Sequence, residues 1–237
     1  MKKFVYLDVG ETLLHLVKHP YEIYGSVLQR HGLLQEIVGD KKFFIEQFHI
    51  AMKEMSSKPN PELKDRYTIH PGGQDGWWTE LIDLFLQKIH SPFIKPSLEV
   101  YQEIFAIFEN PNLWKVNSGF EDLLSFAKEN QIGLGIISNW DLRLRNLLER
   151  KNLISYFNPV LISAEFGYEK PSLKIFLHAQ ELVGLESSQL FYVGDKPELD
   201  YYPPKKLGWN AFLIHHSTSG DIPTIQDLSE LISYLKG

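Results

Sequence analysis

The sequence contains no cysteine, and this one absence excludes three kinds of site. Without a thiol the chain can form no disulfide bond, no thiolate metal site and no cysteine nucleophile. A long hydrophobic run is also missing: the apolar stretch that begins at Phe4 is interrupted by Asp8, too early for a signal peptide, and no other stretch approaches the length of a membrane span. We therefore expect a soluble, cytoplasmic protein that has no membrane partner.

Basic residues are fewer than acidic ones: the sequence has 24 lysines and arginines and 30 aspartates and glutamates, which gives a net charge of −6 at pH 7. This balance gives no support to nucleic acid as a partner. The nine histidines include no HExxH pair, so a zinc site is unsupported as well. With 237 residues, of which 43% are hydrophobic, the chain can bury one core plus a smaller lobe.

The sequence FVYLDVGETLL at residues 4–14 is the first informative stretch. Its four leading apolar residues predict a strand that is buried on both faces, as in a parallel sheet. Asp8 then falls at the C-terminal end of that strand. In open α/β sheets this is the edge where ligands bind, so the carboxylate of Asp8 is expected to face a substrate rather than the core.

The remainder of the chain shows two patterns. Residues 15–112 carry apolar side chains at helical spacing, around a proline- and glycine-rich stretch at 56–76 that is predicted to be irregular. From residue 113 onward, buried strands alternate with helices, which predicts a parallel sheet with right-handed crossovers. We expect an α/β fold in which a Rossmann-like parallel-sheet core, residues 1–14 and 113–237, carries an inserted all-helical domain, residues 15–112.

Capping residues predict where three of the helices begin. Asp40 is expected to cap the second helix of the insertion. Ser118 and Glu121 match a capping box at the head of the first helix after the insertion. Thr224 is expected to cap a closing helix over residues 225–236.

Four stretches place polar residues at or just beyond the ends of predicted parallel strands. These stretches are YLDVGETL, LGIISNWD, GYEKPSLKIF and YVGDKPELD, and they contain Asp8, Ser138, Lys170 and the pair Asp195 and Asp200. Four such motifs in this order, with a helical insertion after the first, resemble the haloacid dehalogenase (HAD) superfamily of hydrolases over the whole chain. Within it, the sequence looks most like the subgroup of haloacid dehalogenase-like hydrolase domain-containing protein 3.

The resemblance implies a phosphoryl-transfer site, in which catalysis consists mostly of positioning and charge stabilisation. Asp8 would be the nucleophile that forms an aspartyl intermediate, and Lys170 would orient and partly neutralise it. Asp8 and Asp195 would hold Mg²⁺ together with the backbone carbonyl of Gly10, an all-oxygen set that suits a hard cation.

Further residues of the motifs would support this chemistry. Ser138 would donate its hydroxyl to a phosphoryl oxygen, and the adjacent Asn139 would bind substrate. Asp200 would act through another group, either a metal-bound water or Lys170. The implied partner is a small phosphorylated metabolite, and the helical insertion would be a C1-type cap that opens and closes around it.

The chain departs from the family pattern at Gly10, where phosphatases of this kind carry a second aspartate as general acid and base. Glu11 is one residue out of register, so in an extended segment it is expected to point elsewhere. His15 lies close enough in sequence to be a substitute proton donor, with a surface or hinge role as the simpler alternative. Loss of a general acid typically costs a factor of about 10² to 10⁴ in rate, and it matters least when the leaving group is already good.

Three functional hypotheses remain open. The first is a Mg²⁺-dependent phosphatase that is slow on ordinary esters and better on acyl phosphates. The second is a 2-haloacid dehalogenase, which needs no second aspartate; against it, Asp8, Asp195 and Asp200 would face only Lys170 if no metal were bound. The third is a non-catalytic binding protein that keeps the fold, and Gly10 is its main support. A phosphonate hydrolase would need a Schiff-base lysine, and no lysine of the insertion stands out as one.

Overall fold

The computed structural model describes residues 2–34, 41–89, 94–214 and 222–237. Asp40, the expected cap of the second helix, lies outside the described residues. The chain forms two compact units. The larger contains Met1–His15, Leu63–Asp65 and Trp114–Gly237, and the smaller contains Leu16–Glu62 and Arg66–Leu113.

The smaller unit is helical in its described part. Its α-helices are α1 (Pro20–Arg30), α2 (Lys41–Ser56), α3 (Arg66–Ile69), α4 (Gly73–Ile89) and α5 (Leu98–Phe108). Aromatic rings build its core: the ring centroid of Phe48 lies 5.3 Å from that of Tyr24 and 5.6 Å from that of Phe85. Among the described residues of the chain, no helix is both long and apolar enough to cross a membrane.

A six-stranded sheet forms the centre of the larger unit. The strands among the described residues are β1 (Phe4–Leu7), β2 (Leu14–Leu16), β3 (Trp114–Val116), β4 (Gly133–Ser138), β5 (Val160–Ile162), β6 (Leu190–Gly194), β7 (Asn210–Ile214) and β8 (Thr224–Ile225). The large sheet has the order β5-β4-β1-β6-β7-β8 and is parallel throughout, and β2 and β3 pair separately. The predicted α/β class, with its Rossmann-like parallel sheet and helical insertion, is confirmed.

Helices alternate with the strands of the large sheet. They are α6 (Phe120–Glu129), α7 (Arg143–Arg150), α8 (Ser163–Phe166), α9 (Leu173–Val183), α10 (Tyr202–Lys206) and α11 (Leu231–Leu235). Because consecutive parallel strands need a crossover, the chain returns to the same end of the sheet before each new strand. The carboxyl ends of β1, β4 and β6 therefore lie side by side.

Close packing of aromatic rings on glycines fixes β1 against β4. A Cβ on Gly133 would lie 2.3 Å from Cε2 of Phe4, and one on Gly135 would lie 2.5 Å from Cε1 of Tyr6. No side chain larger than hydrogen fits at such distances. The rings of Phe4 and Tyr6 belong to an apolar cluster that also contains Trp209. This packing holds β1, the strand that directly precedes Asp8, at the middle of the sheet.

Two of the expected helix caps are wrong. Helix α6 is capped by Gly119 rather than by a Ser118 capping box; Gly119 has φ +76°, and a Cβ there would lie 2.3 Å from the backbone nitrogen of Ser229. Thr224 caps no helix, because it lies in β8 and pairs with β7, and the closing helix α11 begins only at Leu231. In both places a contact with a distant part of the chain overrides the local signal.

Candidate active site

Three predicted site residues lie at the carboxyl ends of neighbouring strands. Asp8 follows β1, and its backbone N–H donates to the carbonyl of Val193 in β6 over 2.9 Å. Ser138 is the last residue of β4, and Asp195 follows β6 directly. The Ser138 hydroxyl donates to Oδ1 of Asp8 over 2.8 Å. The sheet thus brings together side chains that are up to 187 positions apart in the sequence.

Lys170 lies between two carboxylates. Its Nζ is 3.0 Å from Oδ1 of Asp8 and 2.6 Å from Oδ1 of Asp200, and it also donates to the hydroxyl of Tyr192 over 2.9 Å. The side chains of Lys170 and Asp200 are 2% and 1% exposed. A buried charge pair of this kind persists only when its hydrogen bonds are satisfied, and here all three ammonium protons have an acceptor.

The loop that carries Lys170 is held by Asn139. The amide Nδ2 of Asn139 donates to the carbonyl of Lys170 over 2.8 Å, and the backbone N–H of Lys170 donates to Oδ1 of Asn139 over 2.7 Å. This reciprocal pair fixes the backbone of the lysine. Asn139 was predicted to bind substrate; the structure places its amide on the lysine loop, and contact with a substrate stays a prediction.

A second constraint on the same loop comes from Leu63–Asp65, the short segment that belongs to the larger unit. Lys64 forms an antiparallel bridge with Tyr168, and two backbone hydrogen bonds of 2.9 and 3.1 Å flank it. The bridge lies two residues before Lys170. The lysine is therefore held from both sides of its loop.

Asp200 lies in a single π-helical turn, Pro197–Tyr201, which begins three residues after the end of β6. Its Oδ2 accepts from the backbone N–H of Lys196 over 2.9 Å, while its Oδ1 faces Lys170. A Cβ on Gly194 would lie 2.3 Å from Cγ of Asp200, so glycine is required there. Such turns are frequent at functional sites, and this one directs a carboxylate back over the end of the sheet.

The charges of the site perturb one another. Burial opposes the charge of Lys170, but Asp200 and Asp8 outweigh that effect, so the pKa of Lys170 is raised above its usual value. Burial, together with repulsion from Asp8 and Asp200, raises the pKa of Asp195 to about 6. Three carboxylates against the ammonium groups of Lys170 and Lys196 leave a net negative site, which favours a bound cation.

The donor set fits a hard divalent cation. One carboxylate oxygen from each of Asp8, Asp195 and Asp200 lies within 4.8 Å of the others. Oxygen ligands at this spacing suit Mg²⁺, which binds through one or two carboxylates and keeps several waters. Because Oδ1 of Asp200 already accepts from Lys170 and Oδ2 from a backbone N–H, Asp8 and Asp195 are the better candidates for direct ligands.

The loop after Asp8 turns sharply. Three consecutive N–H groups, from Thr12 to Leu14, point at the carbonyl of Val9 over 2.8 to 3.3 Å. Glu11 was expected to point away from the site if its segment were extended; the segment is instead a turn, in which Glu11 has φ +56° and is exposed. A turn that brings three N–H groups to one carbonyl needs a residue with a left-handed backbone conformation. The alternation of apolar and polar residues along a strand does not reveal such a residue.

Asn117 is a structural residue of this loop that the sequence patterns missed. Its Nδ2 donates to the carbonyls of Glu11 and Thr12 over 3.1 and 2.6 Å. Its Oδ1 lies 2.6 Å from Nδ1 of His15 and, because its own amide protons face carbonyls, must accept the Nδ1 proton of that histidine. His15 therefore has Nε2 as its basic nitrogen, and Asn117 orients it.

Tyr192 is the second residue that the patterns missed. The run of buried strand residues predicts only that Tyr192 packs in the sheet, yet its hydroxyl contacts Lys170 and Asp200. The available signal was the phenol itself, because a tyrosine in a fully buried strand needs a hydrogen-bond partner.

Comparison with known proteins gives three findings on similarity in sequence. A family model for hydrolases described as haloacid dehalogenase-like hydrolase matches residues 3–208. The chain is 30% identical over 224 residues to haloacid dehalogenase-like hydrolase domain-containing protein 3 of Homo sapiens, covering 93% of this chain and 84% of that protein. It is 31% identical over 196 residues to glyceraldehyde 3-phosphate phosphatase of Methanocaldococcus jannaschii, covering 79% of this chain and 82% of that protein.

Solved structures show the same fold. A HAD-hydrolase of Bacillus subtilis, bound to magnesium, superposes with a TM-score of 0.74 at 16% identity, and all of both chains is covered. At 16% sequence identity, this similarity supports a shared fold and nothing further.

Proposed function

We propose that this chain, which belongs to the haloacid dehalogenase-like hydrolase family, is a Mg²⁺-dependent phosphatase that acts through an aspartyl-phosphate intermediate on Asp8. One observation carries the proposal: oxygens of three carboxylates lie within 4.8 Å of one another, with Lys170 as the buried cation between two of them. A metal cation and the negative phosphoryl group that it binds would complete the charge balance of such a site.

Asp8 is placed for nucleophilic attack. Its Oδ1 accepts from Ser138 and faces Lys170, whereas Oδ2 accepts no hydrogen bond from the part of the chain that the structure describes. A carboxylate oxygen attacks phosphorus, the bond from phosphorus to the leaving oxygen breaks, and that oxygen keeps the electron pair. Water then attacks phosphorus in the acyl phosphate, which releases inorganic phosphate and restores the carboxylate.

Mg²⁺, when bound by Asp8 and Asp195, supplies charge neutralisation for the phosphoryl oxygens. Lys170 keeps its proton, because two carboxylates hold its pKa high, and so contributes a fixed positive charge beside the nucleophile. Ser138 orients the carboxylate in the free site and can turn its hydroxyl to a phosphoryl oxygen of the substrate. These roles are positional and electrostatic, as phosphoryl transfer requires.

Gly10 sets the preference among substrates. It has no group that could protonate the leaving oxygen, so phosphates with poor leaving groups are expected to react slowly. Acyl phosphates, whose leaving group is a stable carboxylate, need no such help. The relative from Methanocaldococcus jannaschii, named as a glyceraldehyde 3-phosphate phosphatase, supports phosphate esters of small metabolites as the wider substrate class.

A second candidate function is binding without turnover. The missing side chain at Gly10 favours it, because a site without a general acid can hold a phosphorylated ligand and a metal without cleaving an ester. The dehalogenase hypothesis is weaker, since it would leave the carboxylates of Asp8, Asp195 and Asp200 with Lys170 as their main counter-charge.

Phosphate release tests the proposal. Native protein is incubated with acetyl phosphate or p-nitrophenyl phosphate, with Mg²⁺ or with a chelator, beside Asp8→Asn and the matched control Asp122→Asn. Asp122 is an exposed aspartate in the first turn of α6. We expect release that requires Mg²⁺, is faster with acetyl phosphate, survives in Asp122→Asn and is lost in Asp8→Asn.

Other outcomes separate the alternatives. Chloride release from 2-chloropropionate without phosphate release would support the dehalogenase. Tight binding of inorganic phosphate with Mg²⁺, and no release from either substrate, would support the binding protein. Release that persists in Asp8→Asn would contradict the proposed nucleophile.

A further inference from the structure

Tyr192 lies at the junction of the groups that surround Lys170. It is in the middle of β6 and is completely buried. Its hydroxyl oxygen is 2.9 Å from Nζ of Lys170, 3.1 Å from Oδ1 of Asp200 and 3.0 Å from the carbonyl of Ile137. Ile137 is the residue before Ser138, so this one oxygen contacts three parts of the site.

The protons on the Lys170 ammonium and on the Tyr192 hydroxyl determine which group donates in each of these contacts. The ammonium of Lys170 has three N–H donors, and Asp8, Asp200 and Tyr192 are their three acceptors. The phenol therefore accepts from the lysine and has one proton to donate, to Ile137 or to Asp200. Burial raises the pKa of Tyr192 well above its usual value, so the phenol keeps that proton.

We propose that Tyr192 is a positioning residue, whose hydroxyl holds the Lys170 ammonium between Asp8 and Asp200. The expected effect of Tyr192 on turnover rests on the proposed function. The expected effect of Tyr192 on the position of Lys170 rests on the contacts alone. Without the hydroxyl, one ammonium proton has no acceptor in a buried site. The ammonium then moves toward Asp200, where its contact is shorter, and its contact with the nucleophile Asp8 weakens.

The neighbouring strand offers a matched control. Tyr6 in β1 is the register partner of Tyr192, is completely buried, and donates its hydroxyl to the carbonyl of Ala179 over 2.7 Å. Tyr6→Phe and Tyr192→Phe each remove one oxygen atom from a buried strand at the centre of the same sheet. Only the second removes it from Lys170.

The kinetic test measures kcat and KM for acetyl phosphate with saturating Mg²⁺. Because small displacements of a positioned group lower turnover steeply, we expect Tyr192→Phe to lower kcat by about tenfold or more while KM stays within about twofold. Tyr6→Phe should keep the native kcat. Equal kcat in native protein and Tyr192→Phe, or an equal loss in both variants, would overturn the inference while leaving the proposed function standing.

A stability cycle tests the same contact without using activity. The equilibrium constant for unfolding is measured for Tyr192→Phe in the native chain and in Lys170→Met/Asp200→Asn, where both charged partners of the hydroxyl are gone. We expect an increase of about tenfold in the native chain and less than about threefold in the double variant, because no ammonium proton is then left without an acceptor. Tyr6→Phe should change the constant equally in both backgrounds.

The two tests fail in distinguishable ways. If native protein releases no phosphate, the proposed function fails and the stability cycle alone decides the role of Tyr192. If Tyr192→Phe has the same effect in both backgrounds, Tyr192 does not position Lys170, whatever the turnover of the native protein.

Discussion

A Cβ placed on Gly10 would lie 3.7 Å from Cζ3 of the Trp140 indole, which is an ordinary van der Waals separation. Gly10 also has a φ outside the left-handed region, unlike Glu11 beside it. Neither the space around a Cβ nor the backbone conformation therefore requires glycine at this position. Gly10 affects the chemistry of the site by providing no carboxylate, and a substitution can supply one.

Gly10→Asp should increase turnover of substrates with poor leaving groups. A carboxyl group at this position can protonate the leaving oxygen, an effect worth a factor of about 10² to 10⁴ when fully developed. We expect a clear increase in phosphate release from alkyl phosphates and little change with acetyl phosphate. Gly10→Asn is the control, because it has the same shape and no acid. An equal increase in Gly10→Asn would show that shape, and not proton transfer, is responsible.

Asn139→Ala separates positioning of Lys170 from direct substrate binding. The amide of Asn139 makes two hydrogen bonds to the Lys170 backbone, so its loss should loosen the lysine loop. We expect kcat to fall about tenfold with little change in KM. Asn210→Ala is a matched control, since the amide of Asn210 bonds to the carbonyls of Ser188 and Leu190. A rise in KM with native kcat in Asn139→Ala would instead assign Asn139 to the substrate.

Mg²⁺ should stabilise the folded protein through Asp195. Binding to the folded state alone adds about 2.7 kcal/mol at a hundredfold excess over Kd, which for a chain of this size raises Tm by roughly 5 to 10 °C. Thermal unfolding with Mg²⁺ and with chelator measures the shift. Asp195→Asn should remove it, and it should raise the Tm of the metal-free protein because a buried, repelled carboxylate is gone. A full Mg²⁺ shift in Asp195→Asn would exclude Asp195 as a ligand.

His19 should make the stability of the helical unit depend on pH. It caps α1 by accepting from the backbone N–H of Tyr21, and burial, aided by His49 and Lys41 and opposed by Glu22, lowers its pKa. The unfolded chain therefore takes up a proton at a higher pH than the folded chain. Stability should be constant above about pH 7 and should fall as the pH drops below about 6.5, the ordinary imidazole value of the unfolded chain.

The matched variant for this prediction is His19→Asn, which keeps a capping acceptor and does not titrate. Its Tm should lack the decrease between pH 7 and pH 5, a decrease that corresponds to at most about 1 kcal/mol, the worth of one helix cap. If the Tm of the native protein and that of His19→Asn changed with pH in the same way, this role of His19 would be contradicted.

Local patterns were sufficient for the fold and for the family. Strand ends can be located from short apolar runs, so Asp8, Ser138 and Asp195 could be assigned to one edge of a parallel sheet before any coordinates. The family resemblance drawn from the four motifs is confirmed by the match over residues 3–208. These features depend on residues that are close together in the sequence.

The remaining features depend on contacts between distant residues. Gly119 replaces the expected serine cap because the backbone at Ser229, 110 positions later, leaves no room for a Cβ. Two further contacts join distant segments that no periodic sequence pattern connects. They are the hydrogen bonds between Asn139 and Lys170 and the β-bridge between Lys64 and Tyr168. Tertiary packing decides such contacts, so they appear only in the folded chain.

Trapping the intermediate tests the central claim, that Asp8 is phosphorylated during turnover, most directly. Native protein is mixed with acetyl phosphate and Mg²⁺, quenched with acid and reduced with borohydride, which converts an aspartyl phosphate to homoserine. Mass spectrometry of the tryptic peptide from residues 4–18 should then show homoserine at position 8, and chain denatured before mixing should show none. Phosphate release by the native protein with position 8 unmodified in every sample would contradict the account.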